Sequence, residues 1–115
     1  DPLIGNKDMY VLKYDSLGEV VAIKQFGTPV TEVVGRHIEV GTDGNVYVTG
    51  VTQGAFEGQS YSGTYQAYAL KLDPDLNVLW CRIFTASSYS LGAHLNVSAS
   101  GDVYVTGFAV GSFEG

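Results

Sequence analysis

Apolar and polar residues alternate along most of this chain in short stretches, broken at regular intervals by Gly, Asp, Asn, Ser or Pro. The stretches "MYVLKYD" (9–15), "EVVAIKQF" (19–26), "HIEVGT" (37–42) and "NVYVTGVT" (45–52) are rich in Val, Ile and Tyr. Such residues suit a pleated surface, and alternation with period two places one face of a strand on a core. The breaks carry turn chemistry. "TDGN" and "ASGD" contain Asp-Gly and Ser-Gly, which supply the positive φ that tight hairpins require. "DSLGE" and "DPDLN" do the same between other strands, with Pro74 presetting φ for a turn. No segment has helical periodicity, so the pattern predicts an all-β fold.

The pattern also repeats. "YVLKYDSLGEVVAIKQF" (10–26) lies over "YALKLDPDLNVLWCRIF" (68–84) with an offset of 58, and "GRHIEVGTDGNVYVTG" (35–50) over "GAHLNVSASGDVYVTG" (92–107) with an offset of 57. Within a single 115-residue segment this defines repeat unit 1 at about 8–58, an inserted loop at 59–65, and repeat unit 2 at about 66–115. A four-stranded antiparallel unit of about 50 residues in tandem is the signature of β-propeller blades.

The residues "ALKLDPDLNVLW" (69–80) and "DGNVYVTG" (43–50), echoed by "VLKYDSLGEVVA" and "SGDVYVTG", resemble the seven-bladed β-propeller repeat family. Two departures are visible: Ala22 stands where unit 2 has Trp80, and the Gly-Gly expected after the Trp strand is reduced to "FGT" and "FTA". The resemblance implies a blade order of "HIEVGT" innermost, then "NVYVTG", "AYALKLD" and "NVLWCRIF" outermost. Framed so, the chain holds the outer half of one blade (about 8–27), a full blade (about 35–84) and the inner half of a third (about 92–115). About two blades' worth of strands leaves ladders and apolar faces open, whereas a ring closes with about four to eight blades. The expectation is therefore a piece of a larger or oligomeric propeller. Its partners are blades of the same parent chain, other copies or partner subunits, three copies giving six blades and four giving eight. The chain begins with Asp1 rather than Met, which fits a processed chain or a segment of a longer one.

Composition changes this picture little. The formal net charge is −6, and the six Lys and Arg residues are scattered, which argues against nucleic acid and anionic membranes as partners. No apolar run reaches the roughly 18 residues of a membrane span. The single cysteine, Cys81, has no internal disulfide partner and reads as a small buried hydrophobe. An extracytoplasmic site or a place within a large complex is the favoured setting.

Candidate chemistry is sparse. His37 and His94 occupy equivalent positions and would face the channel as metal ligands, or simply perform the same structural task twice. Asp73, Asp75 and Asn77 space oxygens like the start of a calcium loop but lack its Gly and Glu, and Asx turns account for them equally. Tyr61, Tyr65, Tyr68 and Tyr89 lie in or beside Tyr/Ser/Gly loops, a composition suited to recognising protein or carbohydrate. Asn96 begins a glycosylation sequon inside a strand. No catalytic motif, phosphate loop or cofactor-binding motif is present, and the recurring carboxylates (Asp15 and Asp73, Glu57 and Glu114) sit at turns or repeat ends. The sequence thus points to a non-enzymatic scaffold for assembly or ligand binding. The alternatives are the propeller portion of an enzyme whose site lies partly on other blades, or a lectin-like repeat protein.

Overall fold

The computed structural model describes residues 8–27, 32–54, 57 and 65–114. Nine strands follow one another: β1 (Met9–Tyr14), β2 (Val20–Phe26), β3 (Glu32–Val40), β4 (Val46–Gln53), β5 (Gln66–Leu72), β6 (Val78–Ala86), β7 (Tyr89–Val97), β8 (Val103–Val110) and β9 (Phe113–Glu114). They form three antiparallel sheets, β1-β2, β3-β4-β5-β6-β9 and β7-β8. The fold is all-β among the described residues, and the four long strands of the central sheet stand in sequence order.

The turns explain why the strands stop where they do. Asp15 Oδ1 accepts the backbone N–H groups of Leu17 (2.9 Å) and Glu19 (3.0 Å), and Asp73 Oδ1 those of Asp75 and Asn77 (both 2.9 Å). Each closes an Asx turn that competes with further pairing. The left-handed position in the first turn belongs to Gly18 (φ 82°), but in the second it is taken by Leu76 (φ 69°). A leucine there costs about 1–2 kcal/mol. Its side chain is buried in the core, which returns a comparable or larger amount.

The main core lies between β1-β2 and one face of the central sheet. Met9, Val11 and Phe26 pack there with Val33, Val46, Val48, Tyr68, Leu70, Leu72, Leu76 and Cys81. The opposite face of that sheet, carrying Tyr47, Thr49 and Ala69, is covered by β7, so β4 is buried on both sides along nearly its whole length. That is why "VYVTGVT" reads as a nearly continuous run of small and branched residues.

Two features extend beyond the sequence reading. β3 begins at Glu32 rather than near His37, and β7 at Tyr89, because both strands continue their ladders through a bulge. The register shifts between Gly35 and His37 and, at the equivalent place, between Gly92 and His94. Opposite these bulges stand Gly50 and Gly107, where any Cβ would strike the carbonyl oxygen of Val34 or Leu91. Glycine at both positions therefore reflects close backbone approach. The second feature is β9. The segment after β8 returns to the outer edge of the central sheet, pairing Glu114 with Thr85 and Phe113 with Ala86.

Candidate functional site

The repeat provides an internal control for solvent exposure, because equivalent residues have the same neighbours only where the neighbouring strands exist. On one face of the strand that recurs as β4 and β8, Tyr47 is 1% exposed and its equivalent Tyr104 is 64% exposed. On the strand that recurs as β3 and β7, Leu95 is 1% exposed and its equivalent Ile38 is 50% exposed. For the third strand of the repeat the pair is Tyr68 at 0% and Tyr10 at 66%. Uncovered apolar side chains include Tyr10, Tyr14, Val20 and Ile23 on β1 and β2, Ile38 and Val40 on β3, and Tyr104, Phe108 and Val110 on β8.

β3 and β7 run side by side and bring the two histidines together. The rings of His37 and His94 stand 3.8 Å apart, centroid to centroid, tilted by 43°. His37 Nε2 lies 3.2 Å from Glu39 Oε2. Among the described residues no group of three His, Cys, Asp or Glu could hold a metal ion. The pair is a tilted ring contact between neighbouring sheets.

The acidic cluster is taken up by its own turn. Both carboxylate oxygens of Asp73 are engaged, Oδ1 by the two backbone amides and Oδ2 by the Asn77 side-chain amide (3.1 Å). These bonds, chiefly the one from the Asn77 N–H, hold the Asp73 carboxyl below its usual range. Asp43 is held low in the same way by the Asn45 N–H in the β3–β4 turn.

The tyrosines do not form one surface. Tyr61 lies outside the described residues. Tyr65 is exposed at the start of β5, and its carbonyl accepts the N–H of Ser90 (2.8 Å), which places it beside Tyr89. Tyr89 is half-buried and meets Phe108 edge-on at 6.0 Å. Tyr68 corrects the expectation of a loop residue. It belongs to the middle of the sheet opposite Gly50, and its hydroxyl lies 3.0 Å from the Val34 carbonyl and 2.8 Å from Met9 Sδ. Desolvation holds its phenol well above the ordinary range.

Residues 23–57 match the family model described as a beta-propeller repeat. That span runs from β2 through β4 and includes the β3–β4 hairpin whose sequence recurs in β7–β8. No curated protein matches the chain. No helix among the described residues is long and apolar enough to cross a membrane.

A polar knot that the sequence reading missed joins the central sheet to β7. Gln66 spans the buried Ala86 backbone, donating through Nε2 to its carbonyl (2.9 Å) and accepting its N–H at Oε1 (3.0 Å). The Ser90 hydroxyl lies 2.7 Å from Gln66 Oε1 and 2.8 Å from the Phe84 carbonyl, and accepts the Ala67 N–H at 2.9 Å. The signal was a break in the repeat, since Ser90 stands where unit 1 has Val33 and Gln66 where it has Asp8. Cys81, beside Leu70 on the core face, has its thiol pushed up to about 12 by burial, with Glu57 adding a smaller contribution. The Asn96 side chain is exposed on β7, facing away from the core.

Proposed function

We propose that this chain is a non-catalytic β-propeller segment whose role is assembly, forming a scaffold that binds other proteins or ligands. In this reading β1-β2 is the outer half of one blade, β3 to β6 a complete blade, and β7-β8 the inner half of a third. The two repeat units then fall on either side of the loop at 59–65.

One observation carries the proposal: the same residue of the repeat is buried where a neighbouring strand exists and exposed where it does not, as with Tyr47 and Tyr104. Full burial of an aromatic or branched side chain contributes about 1.5–3 kcal/mol. Leaving several uncovered at both ends therefore forgoes stabilisation that added blades would recover. The match of residues 23–57 to a beta-propeller repeat supports the same reading. The turn-bound Asp43 and Asp73 and the paired histidines are structural within it. The rim where Tyr65 adjoins Tyr89 would present a contact surface for protein or carbohydrate.

Light scattering on the purified full chain tests the proposal. The expected mass is a multiple of 12.3 kDa. A cooperative 12.3 kDa monomer at every concentration up to the millimolar range would refute it.

A further inference from the structure

Between the central sheet and β7-β8 lies an open groove of about 450 Å³ whose walls include Ala67, Phe84, Leu91, Val105 and Gly107. Shifted back through the repeat, these positions become Met9, Phe26, Val34, Val48 and Gly50. That second set surrounds or shares a core with Tyr68 on the other side of the same sheet. Tyr68 stands opposite Gly50, bonds the Val34 carbonyl and Met9 Sδ, and shares its core cluster with Phe26 and Val48. The groove is thus a second copy of the tyrosine socket without its tyrosine.

The residue that repeats Tyr68 is Tyr10, which lies exposed on β1. We infer that the socket takes Tyr10 of a second copy of this chain, whose β1 adds to the free edge of β8. This rests on the reading of the chain as a propeller segment and specifies how its ends join. The internal blade supplies the register. β4 pairs with β5 through Val46↔Leu72, Tyr47↔Lys71, Val48↔Leu70 and Gly50↔Tyr68. Translated through the repeat, β8 pairs with the incoming β1 through Val103↔Tyr14, Tyr104↔Lys13, Val105↔Leu12 and Gly107↔Tyr10.

Several features of the two edges agree with this register. Gly107 has no Cβ, so the space against the Leu91 carbonyl stays open for a phenol, as Gly50 leaves it open at the Val34 carbonyl. The pairing of Lys13 with Tyr104 reproduces Lys71 over Tyr47, where the ammonium lies 5.5 Å from the ring centre. β2 would arrive with β1, its Ile23 in the place that buried Cys81 holds in the intact blade. Backbone pairing supplies affinity and the tyrosine in its socket supplies specificity, as in other cases of strand addition. Each joint completes one four-stranded blade and leaves the next edge open until a ring closes.

Two variants of the full chain test the inference. Tyr10→Ala removes a side chain that is exposed in the single chain, so the fold of the monomer is expected to be unchanged by circular dichroism. Association should weaken by about 30-fold or more, the effect of losing a buried aromatic anchor. Lys13→Cys combined with Tyr104→Cys should form an intermolecular disulfide under mild oxidation, because directly opposed residues in a sheet bring their Cβ atoms within about 5.5 Å. The displaced pair Lys13→Cys with Phe108→Cys should not link, being about four residues, or roughly 13 Å, out of register. Oligomers that form normally with Tyr10→Ala, or that link the displaced pair, would overturn this joint while leaving assembly standing. A chain that stays monomeric in every case overturns both the joint and the proposed function.

Discussion

Replacing Gln66 by Leu tests whether the buried polar knot or the apolar core holds β7 against the central sheet. The substitution nearly preserves volume, so its effect is chiefly on hydrogen bonding. Gln66 is fully buried, and its amide serves both the N–H and the C=O of buried Ala86 while lying 2.7 Å from the Ser90 hydroxyl. Loss of the amide leaves two backbone groups without that partner in a place water reaches poorly. Each buried unsatisfied group costs about 1–3 kcal/mol. Partial relaxation reduces the total, so a loss of about 2–4 kcal/mol is expected, a large part of the roughly 5–15 kcal/mol that stabilises a domain. The assay is urea unfolding followed by circular dichroism at one fixed protein concentration, since association would otherwise shift the midpoint. Ser90→Ala should cost less alone, and the double variant should lose less than the two losses added, by at least about 0.5 kcal/mol. A loss below about 0.5 kcal/mol for Gln66→Leu, or strict additivity with Ser90→Ala, would mean that the apolar core and not the polar knot holds β7.

Other consequences follow from single residues. Leu76→Gly relieves a left-handed leucine but empties a core position, and the lost burial outweighs the relief, so a net loss of about 1–3 kcal/mol is expected in the same assay. Cys81, with its thiol raised to about 12, should resist thiol reagents at pH 8 in the folded chain and react fully in denaturant. Its raised value, and that of Tyr68, also sets a sign: their contribution is complete below about pH 9 and is lost as pH climbs through the folded values, so the urea midpoint should fall on the alkaline side. Asp43 and Asp73 act in the opposite direction, since their lowered values give stability that is present above about pH 4 and lost as pH falls further. Asp73→Asn should therefore flatten the acid side of the profile, and an unchanged profile would remove the Asx turn from the account.

Much of this architecture was legible because turns are written in local chemistry. Asp15, Asp73 and the Asp-Gly and Ser-Gly pairs marked strand ends that the backbone observes. The offset of 57 to 58 residues put His37 and His94 on equivalent strands, and the structure brings their rings into tilted contact. What escaped were features decided by neighbours. Period-two alternation does not say which side of a strand is covered when both sides are, as in β4, so Tyr68 read as part of a tyrosine-rich loop although it is buried in the sheet. The starts of β3 and β7 lay beyond bulges, which interrupt alternation without ending the ladder. Gln66 and Ser90 carried no motif, and only their departure from the repeat distinguished them from surface polar residues. The candidate contact surface was the reverse case. The repeat does not say which side chains are uncovered, and only the contrast between equivalent residues shows it.

Amide hydrogen exchange along β8, compared with β4, is the most direct test of the claim that the two ends of this chain are halves of one blade. In the central sheet β4 has a partner on both sides, whereas among the described residues β8 pairs only with β7. At concentrations where the chain associates, Val103–Val110 should gain protection approaching that of Val46–Gln53, and dilution should remove it from β8 alone. Fast exchange along β8 in an associated sample would contradict the account.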